Sequence, residues 1–159
     1  MKIRVGLGYD VHQLEEGRDF FLGGIKIPAS KGAVGHSDAD VLIHAICDAI
    51  LGAAGLRDIG FHFSNKDEKY KNIDSKILLQ EVMRMSKSAG WNLQNVDCTL
   101  VLESPKINPH IAAMKEVLLP ILGVEDDALS IKATTSESIG FVGREEGVCA
   151  HAVALLTKD

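Results

Sequence analysis

Three side chains in the first third of the sequence offer a set of donors for a metal ion. Asp10 and His12 lie in residues 2–12, where alternating apolar and polar residues predict a strand, so both point to one side. With His44 they supply one carboxylate and two imidazoles, which suit Zn²⁺ and leave a fourth position for substrate. Asp48, four residues after His44, is a candidate hydrogen-bond partner for that histidine. The alternative is a pair of ordinary core or surface histidines, because spacing alone does not bring His44 to the strand.

A second group of residues has the composition of a phosphate site. His36 and Ser37 lie at the entrance of a predicted helix, whose free N–H groups favour anions. The hydroxyls of residues 134–136 follow a predicted strand and can hold phosphate oxygens, while Glu137 can hold Mg²⁺ or Mn²⁺ against them. The alternatives are an ordinary helix cap at Glu137 and a simple surface turn for the glycine-rich segment 140–147.

The elements that must position these residues alternate between strands and helices. Hydrophobic periodicity and the placement of glycine and proline predict strands over residues 2–12, 20–27, 95–103, 129–134 and 148–156. The same signals predict helices over residues 38–55, 74–90 and 108–120, and a mobile polar loop over residues 58–72. We expect Ser37 to cap the first helix. This order indicates an α/β fold, an α+β sandwich in which helices cover one face of a single mixed β-sheet, as one domain over residues 1–159.

The first predicted strand has two different faces. One face carries five apolar side chains that we expect to form part of the core, namely Ile3, Val5, Leu7, Tyr9 and Val11. The other face carries Gly6 and Gly8 ahead of Asp10, and we expect these glycines to leave space for a bulky group.

The composition excludes several classes of protein. Acidic residues outnumber basic ones by 22 to 17, and the net charge of −5 argues against a nucleic-acid partner. No apolar run approaches the roughly 20 residues of a membrane span, so we expect no membrane association. Without a recognisable signal peptide we expect a cytoplasmic (bacterial) location, or an organelle if a targeting peptide has been removed. Three cysteines without a CxxC pair argue against disulfides and a thiolate zinc site.

Five separated motifs occur in an order that is typical of one enzyme family. They are Gly-Tyr-Asp-Val-His at 8–12, His-Ser-Asp-Ala-Asp at 36–40, Asp-Ile-Gly at 58–60, Lys-Ala-Thr-Thr at 132–135 and Gly-Phe-Val-Gly-Arg-Glu-Glu-Gly at 140–147. With these motifs the chain resembles the 2-C-methyl-D-erythritol 2,4-cyclodiphosphate synthases of the non-mevalonate isoprenoid pathway over nearly its whole length. It departs from the family where Ser64, Asn65 and Lys66 stand between Phe63 and Asp67, in place of a Pro-Asp-Thr-like run.

The resemblance implies a lyase of isoprene biosynthesis that closes a ring by metal-assisted intramolecular phosphoryl transfer. The implied substrate is 4-diphosphocytidyl-2-C-methyl-D-erythritol 2-phosphate, and the implied products are 2-C-methyl-D-erythritol 2,4-cyclodiphosphate and CMP. Bound divalent cations would reconcile an acidic protein with so anionic a substrate. Two other functions compete with this one: a metal-dependent phosphohydrolase of a nucleotide-linked sugar alcohol, and a non-catalytic trimer that binds an isoprenoid diphosphate.

The resemblance also implies an assembly and its metal ions. It implies a homotrimer with active sites between neighbouring subunits. Asp10, His12 and His44 are implied to hold one Zn²⁺ per subunit. Glu137 is implied to contact a Mg²⁺ or Mn²⁺ that bridges the diphosphate of the substrate. An isoprenoid diphosphate is implied on the trimer axis, along residues Phe141, Arg144 and Glu146.

The remaining site residues follow from the same resemblance. His36, Thr135 and Asp58 are the catalytic candidates, and we expect His36 and Thr135 to stabilise the pentavalent transition state. The residues implied to contact substrate or an axis ligand are Asp10, His12, His36, Ser37, Asp58, Ile59, Gly60, Phe63, Asp67, Leu102, Ser104, Pro105, Lys106, Ile107, Asn108, Ala133, Thr134, Thr135, Ser136, Glu137, Phe141 and Arg144.

Overall fold

A computed structural model describes residues 1–64 and 67–159, so the departure from the family loop at Asn65 and Lys66 lies outside the described residues. The strands, β1 to β7, are Lys2–Glu16, Phe20–Leu22, Ile25–Ile27, Lys31–Ala33, Asn92–Val101, Leu129–Thr134 and Gly147–Lys158. The α-helices, α1 to α5, are Val41–Ala54, Ile59–His62, Ser75–Ser88, Ile111–Leu122 and Gly140–Gly143. Short 3₁₀ turns occur at Glu68–Tyr70, Asn108–His110 and Asp126–Ala128. No helix in these described ranges is long and apolar enough to cross a lipid bilayer.

Five of the strands form one mixed sheet in the order β4-β1-β7-β5-β6. The pair β5 and β6 is parallel, and the other neighbours are antiparallel. The pairing of β1 with β7 is long and runs from Lys2 opposite Lys158 to Gln13 opposite Gly147. In the strand order β7 is the central strand and β1 lies beside it. The segment predicted as one strand over residues 20–27 is the small hairpin of β2 and β3, broken at Gly23 and Gly24, whose φ values are positive. The predicted α/β fold with one mixed sheet is confirmed.

Helices cover one face of this sheet. Helix α1 packs on β1 and β7, α3 packs on α1, and α4 packs on α3. Of the 14 residues of α1, 11 are buried, as expected for a helix whose side chains are apolar on nearly every face. The helix therefore forms the centre of the core, between the sheet on one side and the outer helices on the other.

The start of α1 differs from the sequence prediction. The helix begins at Val41, because Asp40 is its N-cap and accepts a hydrogen bond from the backbone N–H of Ile43 at 3.0 Å. Ser37 therefore does not cap the helix, and the positive φ of Ala39 keeps residues 37–39 outside it. The buried Asp40 carboxylate also accepts the N–H groups of the turn at Gly23 and Gly24, which ties the β2–β3 hairpin to α1.

The two faces of β1 are arranged in the opposite way to our expectation. A Cβ atom on Gly8 would lie 1.8 Å from the carbonyl oxygen of Ala45, and one on Gly6 would lie 2.0 Å from that of Ala49. The bulky group beside the glycines is therefore the backbone of α1. The five apolar side chains expected in the core are instead between 43% and 68% exposed. Alternation distinguishes two faces of a strand, but it does not say which one a helix covers.

We expect Gly8→Ala to destabilise the protein by at least about 3 kcal/mol, the upper part of the range for overpacking a core. The added methyl group would meet helix backbone, which cannot move aside as a flexible side chain can. Chemical denaturation measures this change in the free energy of unfolding. The control is Gly52→Ala inside α1, where an added Cβ meets no atom within 4 Å and helix propensity favours alanine. A Gly8→Ala protein as stable as the wild type would contradict the close packing of strand on helix.

Candidate active site

The predicted donor set comes together at the contact between β1 and α1. Asp10 and His12 project from β1 toward His44 on the first turn of α1. The Asp10 Oδ2 atom lies 3.0 Å from both His12 Nε2 and His44 Nδ1, and these two nitrogens are 3.1 Å apart. Among the described residues this is the one group of three or more acidic, histidine or cysteine side chains with metal-binding spacing. The expectation that His44 meets the first strand is thus confirmed.

The protonation of these side chains fits a cation. His12 Nδ1 lies 2.9 Å from the carbonyl oxygen of Val34, which can only accept, so Nδ1 carries the proton. The Nε2 lone pair of neutral His12 therefore points toward Asp10 and His44. Donor separations of 3.0 to 3.1 Å are close to the ~3.3 Å edge of a tetrahedron built on ~2.0 Å zinc bonds. The three residues are therefore able to hold a zinc-sized ion with little rearrangement.

Electrostatics within the cluster oppose protonation of the carboxylate and favour protonation of the imidazole. Burial raises the pKa of Asp10, but hydrogen bonds and charge interactions with His12 and His44 in their cationic forms outweigh burial and bring the pKa down to about 2. Burial lowers the pKa of His12, but its hydrogen bond and charge interaction with Asp10 outweigh burial and raise it. A metal ion must displace the proton of His12 in acid, so metal affinity falls as the pH decreases.

A cavity of about 260 Å³ opens beside the three metal-ligand candidates. Five residues predicted from the sequence to contact substrate also line it, namely His36, Ser37, Ile59, Gly60 and Phe63. Asp67 does not line it, but its carbonyl oxygen lies 3.4 Å from His36 Nε2. The cavity therefore combines polar groups near the metal-ligand candidates with an apolar wall, as expected for a small polar ligand with a carbon skeleton.

Three apolar wall residues, Tyr70, Ile73 and Leu78, were not predicted as part of this site. Tyr70 packs edge-on against Phe63, with ring centroids 5.5 Å apart. The polar segment predicted as a mobile loop contains α2 and a 3₁₀ turn. Its Ile59, Phe63 and Tyr70 line the cavity, whereas Phe61 is exposed. The polar composition of this segment gave no indication that Tyr70 would line a cavity. Leu78 lies beyond the segment, and periodicity places it on the apolar face of the second predicted helix.

The prediction for Asp48 was wrong. Its carboxylate accepts the backbone N–H of Ile59 at 2.7 Å, so it fixes the Asp-Ile-Gly segment rather than His44. Asp58 caps α2 and accepts from the N–H of Phe61 at 3.0 Å. The outer nitrogen of His44 instead lies 2.9 Å from Ser75 Oγ and 3.2 Å from Ser37 Oγ.

A second cavity, of about 190 Å³, lies at the ends of β5 and β6. The sequence-predicted residues that line it are Leu102, Pro105, Lys106, Ile107, Asn108, Ala133, Thr134 and Thr135. Glu103 also lines it and belongs to the segment 102–108 that the resemblance implies for this pocket. Its carboxylate accepts the N–H of Ser136 at 2.8 Å and so holds the turn that carries Glu137. The two cavities share no lining residue within this chain.

The remaining predicted residues lie apart from both cavities. Ser104, Ser136 and Glu137 flank the second cavity without lining it. Phe141 is partly exposed, and the Arg144 guanidinium makes two hydrogen bonds, of 2.9 and 3.0 Å, to the Glu146 carboxylate. Glu137, Phe141 and Arg144 do not line the cavity beside the metal-ligand candidates.

Comparison with known protein families decides how this arrangement is classified. The model of the YgbB family matches residues 3–157, which is nearly the whole chain. The chain belongs to the YgbB family. The family match covers both cavities and the metal-ligand candidates of this YgbB chain, so the whole site falls inside it.

Individual relatives agree with this assignment. The YgbB chain is 63% identical over 158 residues to 2-C-methyl-D-erythritol 2,4-cyclodiphosphate synthase of Cytophaga hutchinsonii, and the match covers 99% of each protein. The bifunctional IspDF of Campylobacter jejuni has a TM-score of 0.95 and 38% identity, over 99% of this chain and 43% of that one. A 2C-methyl-D-erythritol-2,4-cyclodiphosphate synthase in a CDP-bound form has a TM-score of 0.90 and 38% identity, over 97% and 100% of the two chains. The YgbB chain therefore shares its whole fold with proteins named as cyclodiphosphate synthases.

Proposed function

We propose that this chain converts 4-diphosphocytidyl-2-C-methyl-D-erythritol 2-phosphate into 2-C-methyl-D-erythritol 2,4-cyclodiphosphate and CMP. The observation that carries the proposal is the convergence of Asp10, His12 and His44 beside a polar cavity, in a chain 63% identical to a synthase of that name. Ring closure within one substrate needs no strong base, because the attacking 2-phosphate is already anionic. The main task of the protein is to fold a chain of negative charges back on itself.

The metal-ligand candidates and the first cavity receive the methylerythritol phosphate end of the substrate in this proposal. Asp10, His12 and His44 hold one Zn²⁺ per subunit, which when bound supplies a Lewis acid for a phosphate oxygen. Ser37 and His36 offer donors on the same side of the cavity. The apolar wall beside them accommodates the carbon skeleton and excludes water from the reacting phosphates.

The second cavity receives the cytidine diphosphate end. Lys106 offers a positive charge there, and Thr134 and Thr135 offer hydroxyls to phosphate oxygens. Glu137, on the adjacent turn, would hold a Mg²⁺ or Mn²⁺, which would offset the negative charge of the diphosphate. Two divalent cations offset the repulsion between an acidic protein and an anionic substrate. The similar synthase structure in a CDP-bound form supports a cytidine nucleotide as the ligand of this end.

A homotrimer unites the two halves of the site in this proposal. Within one chain the two cavities have no lining residue in common, and in the proposed trimer a neighbouring subunit contributes one of them. The face of β1 and β7 away from the helices supplies an apolar contact surface for that neighbour, formed by Ile3, Val5, Leu7, Tyr9, Val11 and Val153. An apolar surface of this kind on one protein marks an interface. Phe141 and Arg144 are then available for an isoprenoid diphosphate on the trimer axis, as the resemblance implies.

Product analysis tests the proposed reaction. The zinc-loaded protein with Mg²⁺ or Mn²⁺ is expected to release CMP and the cyclic diphosphate in equal amounts, and metal-stripped protein is expected to release neither until both ions are restored. Phosphorus NMR and chromatography distinguish these products. A linear phosphate would support the phosphohydrolase instead, and binding without CMP release would support the non-catalytic trimer.

The match over residues 3–157 supports a single cyclodiphosphate synthase domain over residues 1–159. The cytoplasmic location expected from the sequence stays a prediction.

A further inference from the structure

The outer nitrogen of His44 leads into a second layer of hydrogen bonds. His44 Nε2 lies 2.9 Å from the hydroxyl of Ser75, the first residue of α3, which is completely buried. That hydroxyl also contacts the carboxylate of Asp38, through Oδ1. The other carboxylate oxygen of Asp38 accepts the backbone N–H of Ser75 at 2.9 Å. Asp38 thus holds Ser75 through both of its oxygens.

The chemistry of these groups fixes the direction of every hydrogen bond. An ionised carboxylate can only accept, so the single O–H of Ser75 is donated to Asp38. Ser75 can then offer only a lone pair to His44, and His44 Nε2 must carry the proton that it donates. The lone pair of neutral His44 is therefore on Nδ1, the nitrogen that lies 3.0 Å from Asp10 Oδ2 and 3.1 Å from His12 Nε2.

We propose that Ser75 and Asp38 are positioning residues of the metal centre. Asp38 holds the Ser75 hydroxyl, and this hydroxyl sets the tautomer and ring orientation of His44. The inference rests on the proposed function only in assigning the metal ion to Asp10, His12 and His44. Partners that fix the tautomer of a metal-binding histidine also raise its basicity as a ligand. His12 is held in the same way, because its Nδ1–H donates to the carbonyl of Val34 and leaves Nε2 for the metal ion.

A simple helix cap does not account for the Ser75 hydroxyl. The N-cap of α3 is Asp74, whose carboxylate accepts the N–H of Lys76 at 2.9 Å. Loss of the Ser75 hydroxyl also leaves its N–H bonded to Asp38. The hydroxyl therefore acts toward His44 rather than toward the helix.

The same arrangement leaves Ser37 free for ligand. Ser37 Oγ lies 3.2 Å from His44 Nε2 and accepts the N–H of Ala39 at 3.2 Å, so its own O–H is not committed to either. Because Ser75 is the nearer acceptor for His44, the Ser37 hydroxyl can donate into the cavity that it lines. One serine serves the metal ligand, and the other serves the substrate.

The test compares zinc dissociation constants, measured by competition with a chromophoric chelator at constant pH. Ser75→Ala is expected to weaken zinc binding by about 10- to 100-fold, and Ser75→Thr, which keeps the hydroxyl, is expected to restore it. The matched control is Ser86→Ala on the same helix. Ser86 is also buried, and its hydroxyl is the one buried side-chain oxygen or nitrogen in the described ranges without a hydrogen-bond partner. Its removal should leave zinc affinity unchanged.

Two results would overturn the inference. One is a Ser75→Ala protein that binds zinc within twofold of the wild type. The other is a ¹⁵N-histidine spectrum of the zinc-loaded wild type in which His44 carries its proton on Nδ1, a measurement that does not depend on the folding of any variant. Wild-type protein that binds zinc but releases no CMP would contradict the proposed function and leave the positioning role intact.

Discussion

Replacing His12 by alanine is expected to remove bound zinc and nearly all turnover while the fold is retained. His12 supplies one of three converging donors, and an aspartate with one imidazole is too few ligands for a tight zinc site. The loss of zinc affinity should exceed the about 100-fold that removal of an outer partner causes. The fold is expected to persist because the side chain is only partly buried, and among the described residues its hydrogen bond outside the cluster is to the Val34 carbonyl.

Metal analysis beside thermal denaturation checks this expectation. His110→Ala is the matched control, because His110 makes no capping hydrogen bond at the start of α4 and lies outside the metal-ligand group. The control should keep full zinc content. A folded His12→Ala protein with wild-type zinc content would refute the assigned ligands, whatever its catalytic rate.

The second large effect is expected from a charge on the exposed face of the sheet. Leu7 is 68% exposed and lies at the middle of β1, opposite Val153 of β7. In the proposed trimer each Leu7 gains about 1.5 to 3 kcal/mol from burial, and Leu7→Glu replaces that gain with the cost of burying a charge. We expect Leu7→Glu to be a monomer without turnover, because the two halves of the site then stay apart.

Sedimentation equilibrium measures the assembly, and metal analysis provides an internal check. The variant should still bind zinc, because all three ligands belong to one chain. Ile77→Glu is the control for assembly, since Ile77 is 53% exposed on α3, on the other side of the sheet. If Leu7→Glu has the same mass as the wild type, or if wild type is itself a monomer, the proposed interface is wrong.

The elements were more predictable from the sequence than their contacts. The apolar stripe of α1 and the alternation in β1 reflect local periodicity, so both elements occur near their predicted positions. The covered face of β1 depends on how closely α1 approaches it. Small residues at Gly6 and Gly8 permit backbone contact, a signal that competes with the apolar pattern of the opposite face. The sequence pattern of a single chain also does not show which exposed side chains a neighbouring subunit would bury.

The same limit applies to the site. Strand geometry places Asp10 beside His12. His12 and His44, however, are 32 positions apart in the sequence, and no local signal predicts that they meet. The resemblance to a known family supplied this prediction. Ser75 and Asp38 are 37 positions apart. Asp38 belongs to the motif at 36–40, but no local pattern connects it to Ser75. Asp48 illustrates the opposite error, since helical spacing placed it near His44 while its hydrogen bond is made to Ile59.

The contact of Gly6 and Gly8 with the backbone of α1 has a consequence for metal uptake. Main-chain atoms set the height of the helix above the strand, so the spacing between ligands on the two elements does not depend on how side chains repack. Little conformational entropy is then lost when an ion enters, since its donors are already assembled. Apoprotein and loaded protein should accordingly share one backbone, unlike small zinc domains that fold only around their metal.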